Sequence, residues 1–213
     1  TTSDELATRS VHATHDVILH RSPRPGDTLS TTARVTGLAH RRAGTLMTVR
    51  LETVDAEGRP VTTSDYGSVY RGVGFDGADA GRAPDAGGGV AMPAEAVESP
   101  VAVPAGLAHI YTECARIWNP IHTDIAVARA AGLPGIILHG TATLALAVSR
   151  VLSHAGLDPR VPRRVTARFT GMVLLPSSLS VRVAEAAGGR CLLFEARGAH
   201  GATVLSDGSL HLA

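Results

Sequence analysis

One segment limits the folds open to this chain more than any other. Thr141–His154 carries apolar residues at Ala142, Leu144, Ala145, Leu146, Val148, Val151 and Leu152. Together they cover nearly the whole circumference of a helix. A helix that is apolar all round is expected to be buried rather than to lie on a surface. Gly156 supplies a stop signal. Four strand-like segments follow: Arg164–Met172, Leu179–Ala186, Cys191–Ala196 and Thr203–Leu212. Turn pairs such as Gly188-Gly189 and Asp207-Gly208 separate them. One buried helix followed by antiparallel strands able to enclose it predicts an α+β layout.

The earlier half reads as sheet. Thr32–Arg71 is expected to form antiparallel strands. Gly44–Val54 alternates Leu46, Thr48, Arg50 and Glu52 on one parity with Met47, Val49 and Leu51 on the other, the period of a half-buried strand. Asp55–Gly58 is a turn signal before Val61–Tyr70, and Pro25-Gly26-Asp27 is another before the first strand. Gly72–Pro104 is rich in Gly, Ala, Asp and Pro and has little periodicity. A structureless loop of that length inside one compact domain is unusual. The 213 residues are therefore expected to divide into an N-terminal part over 1–75, a linker over 76–104 and a C-terminal domain over 105–213.

Composition excludes several functions. The formal charge is +1, and all 20 basic residues are Arg. Without a basic footprint or stacking aromatics, nucleic acid is not an expected partner. Without Lys, a Walker-type phosphate site and a Schiff base are excluded. No apolar run reaches the roughly 18 residues that span a bilayer, so no membrane partner is expected. Cys114 and Cys191 form no metal or redox spacing and are expected as buried free thiols in the cytoplasm. The chain opens on Thr rather than Met, and a processed or truncated chain is expected. Gly72-Val73-Gly74-Phe75-Asp76-Gly77 has GxGxxG spacing, but no helix pattern follows it, so it is expected to be linker. His12, His15 and His20, and the set His109, His122, Asp124 and His139, lack metal-ligand spacing. No metal and no cofactor are expected.

The chemistry-bearing stretch runs from Tyr111 through Glu113, Asn119-Pro120-Ile121-His122 and Asp124 to His139-Gly140-Thr141. Asn119-Pro120 can fix a turn that aims His122. Gly140 opens the helix and offers a bare backbone N–H to a developing oxyanion. A His with such a donor suits proton transfer beside a polarised carbonyl. The alternative is that Asn119 and His122 only cap and pack a turn.

These residues resemble the MaoC-like, or hydratase 2, branch of the hot-dog fold. Tyr111, Cys114, Asn119, Pro120, Ile121, His122 and His139-Gly140 fit its pattern, over most of Ala108–Leu212. The resemblance implies a hot-dog fold, an antiparallel sheet wrapped around a long central helix, with a partial second hot dog in the N-terminal half. Arg71-Gly72-Val73-Gly74-Phe75 resembles the stretch closing that half. The implied activity is reversible water elimination or addition on a 3-hydroxyacyl or 2-enoyl thioester of coenzyme A or acyl carrier protein. In that reading His122 is the acid–base group, Asn119 orients it, and the Gly140 N–H polarises the carbonyl. Tyr111, Trp118, His139 and Thr141 contact the substrate. The sequence departs from the pattern where the family's catalytic Asp becomes Ile117, its Ser Ala115 and its Gly Arg116. Glu113 and Asp124 are candidate replacement carboxylates. The other readings are a non-catalytic acyl-binding or partner subunit and, ranked lower, a hot-dog thioesterase. Sheet edges left by an incomplete half point to a homodimer or a hot-dog partner subunit.

Overall fold

The computed structural model describes residues 6, 9–81, 91–186 and 188–213. The chain divides into two compact units, Thr1–Val90 with Arg160–Arg168 and Asp207–Ala213, and Ala91–Pro159 with Phe169–Ser206.

The first unit is antiparallel sheet. Its strands are β1 (Ser10–Leu19), β2 (Ser30–Arg41), β3 (Gly44–Val54), β4 (Pro60–Arg71) and the short β5 (Ala80–Gly81), joined by β7 (Pro162–Phe169) in the order β5-β2-β3-β4-β1-β7. β1 lies in the stretch that sequence reading left without a strand. A bulge between His12 and Thr14 shifts its register against β4, which breaks the alternation that would have revealed it. The turns foreseen at Pro25–Asp27 and Asp55–Gly58 are tied together by Arg21, which reaches Asp27 at 2.7 Å and Asp55 at 3.2 Å.

A row of charges crosses this sheet. Arg50 donates to Asp65 from β3 to β4 at 2.9 and 2.6 Å. Arg164 donates to Asp16 from β7 to β1 at 2.8 and 2.7 Å. Asp16 stands opposite Asp65 in the register. Two forked guanidiniums thus flank two carboxylates and offset the repulsion that facing like charges bring to a strand pair.

The alternation expected in β3 is present, but Leu46 and Thr48 are buried while Met47, Val49 and Leu51 are only half-buried. Among its described residues this unit has no helix comparable to the long one of the second unit. The GxGxxG stretch is a loop, with Phe75 stacked on His40 at 4.1 Å, and it runs on into the short β5 rather than into a helix.

The second unit holds β6 (Val97–Val103), α1 (Leu107–Ala115), a 3-10 turn (Pro120–His122), α2 (Ile125–Ala130), α3 (Gly140–Ala155), β8 (Ser177–Glu185) and β9 (Cys191–Gly198). It also contains the start of β10 (Thr203–Leu212). β6 pairs with β8, and β8 with β9, all antiparallel. β6 falls inside the stretch read as linker, of which residues 82–90 lie outside the described residues. Pro100 concealed it: proline suits an edge strand, and β6 ends the sheet order.

α3 packs on β8 and β9. Its buried residues, Ala142, Thr143, Leu144, Ala147, Val151 and Leu152, meet the alternating Leu179, Val181 and Val183 of β8, with Phe194 fully buried on β9. The helix is not enclosed all round, however. Ala145, Ser149 and Ser153, four residues apart, are exposed. Treating Ala145 as core closed the apolar circumference in the sequence, but an exposed alanine costs a helix nothing. Leu144→Ala and Leu152→Ala should therefore each cost about 2–5 kcal/mol. Ala145→Ser should stay within about 0.5 kcal/mol, as urea denaturation of the three variants will show.

Candidate active site

The site is built where α1, the 3-10 turn and the start of α3 converge within the second unit. Pro120 opens the turn, where its missing N–H is not needed. Asn119 is extended, as a residue before proline prefers, and its side chain accepts from the Ile121 N–H at 3.4 Å. Asn119 thus caps the turn that presents His122. Asp124 caps α2 in the same manner, accepting from Ala126 at 2.7 Å and Val127 at 3.2 Å. His109 closes the loop by donating to the Thr123 carbonyl at 3.1 Å.

His122 is oriented by main chain. Its Nδ1 donates to the carbonyl of Ile137 at 2.8 Å. That carbonyl is fixed because Ile137 bridges Leu174, with Leu138 N–H donating to Val173 at 2.7 Å and Leu175 N–H to Ile136 at 3.2 Å. A carbonyl only accepts, so Nδ1 carries the proton and Nε2 keeps its lone pair. Burial lowers the His122 pKa below that of a free imidazole, against the opposing pull of the Ile137 carbonyl. No carboxylate contributes to that shift.

His139 stacks on His122 with ring centroids 3.7 Å apart. Its Nε2 lies 3.3 Å from the Thr112 hydroxyl and 3.4 Å from the Ile117 carbonyl. Burial, then the neighbouring His122, pulls its pKa down to about 4, against the Ile117 carbonyl. Tyr111 tilts against it at 5.0 Å. Gly140 begins α3 with no side chain capping the helix start. A Cβ there would come within 3.1 and 3.2 Å of the Phe169 ring, so the close approach of that ring calls for glycine. Thr141 is half-buried in the first turn.

The structure thus brings together His122, His139, Tyr111 and Gly140, and adds Thr112, Phe169 and the carbonyls of Ile117 and Ile137. Thr112 was legible only as the neighbour of Tyr111; nothing in a sequence marks a carbonyl. Trp118 is 65% exposed and makes no ring contact with this group. Glu113 is exposed on α1, and Asp124 spends Oδ1 on its helix; Cys114, exposed on α1, and Cys191, half-buried at the start of β9, are not the buried thiols expected. Among the described residues no three His, Cys, Asp or Glu side chains gather as metal ligands. His12 and His15 meet at 3.3 Å in the first unit, while His20 pairs with Thr63 at 3.0 Å.

Residues 95–191 match the MaoC like domain family, and residues 6–64 match the FAS1-like dehydratase domain region. This chain carries a MaoC-like domain. Fatty acid synthase beta subunit pkiC of Emericella nidulans is 43% identical over 75 residues, 34% of this chain and 4% of that protein. A probable enoyl-CoA hydratase 2 of Dictyostelium discoideum is 28% identical over 166 residues, 72% of this chain and 52% of that one. The chain therefore spans about half of the Dictyostelium protein and a small part of the fungal subunit. The crystal structure of a MaoC-like dehydratase from Phytophthora capsici superposes with TM-score 0.86 at 23% identity, over 97% of this chain and 72% of that one. The fold is the α+β hot dog, in its double form.

Within the MaoC-like domain, the position read as the family's glycine is Arg116, at φ 55 and ψ 40. It ends α1 in the left-handed conformation, with its own N–H and that of Ile117 donating to the Thr112 carbonyl. An L side chain there carries about 1–2 kcal/mol of strain. Arg116→Gly should raise stability by about 0.5–1 kcal/mol once the greater freedom of unfolded glycine is deducted, a gain readable as a higher Tm.

The lowered imidazole pKa values give a second expectation. Unfolded histidine titrates near 6.5, whereas folded His139 does so at about 4 and His122 below its usual value. Between these values the unfolded chain binds more protons. Stability should be level above about pH 6.5 and fall as the pH drops toward 4, with a slope of up to about 1.4 kcal/mol per unit per group. Urea midpoints measured from pH 7.5 to 4.5 should show this, and His139→Gln should make the dependence shallower.

Proposed function

We propose that this chain catalyses reversible addition of water to a 2-enoyl thioester, giving a 3-hydroxyacyl thioester on coenzyme A or acyl carrier protein. The observation that carries the reading is the 2.8 Å bond from His122 Nδ1 to the Ile137 carbonyl, which leaves a neutral Nε2 as base. Similarity to the probable enoyl-CoA hydratase 2 of Dictyostelium and the MaoC-like dehydratase of Phytophthora supports the same reaction class.

In hydration, His122 Nε2 takes a proton from water as its oxygen bonds to C3. The π electrons move onto the thioester oxygen, which the Gly140 N–H receives. The enolate then collapses, and the proton on His122 passes to C2. Dehydration is the reverse. The cycle balances with one histidine and needs no cofactor. Asn119 orients His122 by holding its turn, while Tyr111, His139 and Thr141 contact the acyl thioester and Trp118 lies at the mouth. A cytoplasmic homodimer, or a complex with another hot-dog subunit, completes the reading.

A second reading, an acyl-binding partner subunit without catalysis, draws on Ile117. The side chain at the acid position is apolar and 39% exposed, and among the described residues no carboxylate stands at His122.

His122→Ala should lower kcat/KM on a 2-enoyl thioester by about 10²–10⁴-fold, and Asn119→Ala by less. Activity should fall with pH through a value below 6.5, where His122 becomes protonated. A tenfold or greater loss in Glu113→Gln or Asp124→Asn alone would identify a displaced acid. Ile117→Asp should raise the rate if the site lacks only that group. Single-turnover assays showing thioester binding without hydration, dehydration or hydrolysis would instead select the partner-subunit reading.

A further inference from the structure

His139 is 2% exposed, and among the described residues its Nδ1 has no hydrogen-bond partner. The other ring nitrogen faces the Ile117 carbonyl and the Thr112 hydroxyl. Because the carbonyl only accepts, Nε2 carries the proton and Nδ1 is a bare lone pair. Buried acceptors without donors are rare, and each calls for an explanation. Nδ1 is the ring nitrogen nearest the main chain, and His139 is the N-cap of α3. Yet its side chain accepts nothing from the first N–H groups of that helix. The lone pair and the uncapped helix start thus belong to adjacent residues, His139 and Gly140, with the His122 ring stacked on His139 at 3.7 Å.

Such a pair of features discriminates. The helix start favours an acceptor, such as a thioester oxygen. The lone pair repels an acceptor and needs a donor. Of the two thioesters in the proposed reaction, only the 3-hydroxyacyl form carries an O–H beside the reacting carbons. Resting on the dehydratase reading, we propose that His139 Nδ1 accepts a hydrogen bond from the 3-hydroxyl group of the acyl chain. His139 is then the residue that tells hydroxylated chains from plain ones. The same bond turns a lone pair of the hydroxyl oxygen toward His122, the group that protonates it as it leaves as water.

The test compares two coenzyme A analogues in which N–H replaces the thioester sulfur, so that the C2 proton is not acidic enough to be removed. One carries a 3-hydroxyacyl chain and the other the plain chain of equal length, so every pantetheine contact is shared. Calorimetry on the whole chain should find the hydroxylated analogue bound about tenfold tighter or more. His139→Gln keeps polar reach toward Ile117 and Thr112 but places no acceptor at the Nδ1 position. It should bind both analogues alike, whatever its overall affinity, because only the discrimination between them is read. In wild-type protein, the ¹⁵N signal of His139 Nδ1 should shift upfield with the hydroxylated analogue and stay put with the plain one; this arm needs no variant. Equal affinities in the wild type, a preference that survives in His139→Gln, or an unmoved Nδ1 signal overturns the proposal while turnover still supports the dehydratase. Absence of both binding and turnover overturns the two together.

Discussion

The hydrogen bond from His122 Nδ1 to the Ile137 carbonyl decides what the rest of the site can do. It fixes one tautomer, and with it the ring nitrogen that keeps its lone pair. A main-chain acceptor holds the ring without adding negative charge, whereas a carboxylate there would raise the pKa. Burial then works unopposed by any nearby anion, and the imidazole stays neutral at physiological pH. The stacked His139 reinforces this. Two imidazoles 3.7 Å apart cannot both be protonated cheaply, and His139, with the pKa of about 4, yields. Of the two rings, His139 is held the more firmly in its neutral form.

This arrangement depends on backbone that is itself pinned. The segment 136–138 is laced to 173–175 by the Ile137–Leu174 bridge and its flanking hydrogen bonds. On the other side, α1 ends at Arg116 in the left-handed conformation, which turns the Ile117 carbonyl toward His139. The Ile117 side chain is apolar, and its main-chain carbonyl faces the His139 ring. The first unit holds its geometry by different means, through the Arg50–Asp65 and Arg164–Asp16 forks across neighbouring strands.

Much of this was legible in the sequence, for reasons that can be named. The long helix, three strands of the first half and all four of the last show as periodicity. The Asn-Pro-Ile-His and His-Gly segments mark the candidate site because turn and helix-start chemistry leave local signatures. What escaped detection was non-local or main-chain. β1 hid behind a bulge, and β6 behind Pro100, tolerable only because the strand is an edge. The exposed stripe of α3 hid because alanine reads as apolar wherever it sits. The tautomers of both histidines depend on carbonyls 15 and 22 residues away in sequence, and no residue type announces those.

The apolar side chain of Ile117 bears on the electrostatic problem as well as on the proton inventory. An anion beside the helix start would compete for the same N–H groups that a developing oxyanion needs. Without it, the positive end of α3 is left to the ligand. The two ring nitrogens that remain unprotonated, His122 Nε2 and His139 Nδ1, are both acceptors. A site with a donor at the helix start and two neutral acceptors beside it is complementary to an oxyanion next to an O–H group. It is a poor match for a plain hydrocarbon, whose C–H groups would leave the His139 lone pair buried and unmet. That complementarity follows from two carbonyls and one uncapped helix, and it holds whether the chain turns its ligand over or only binds it.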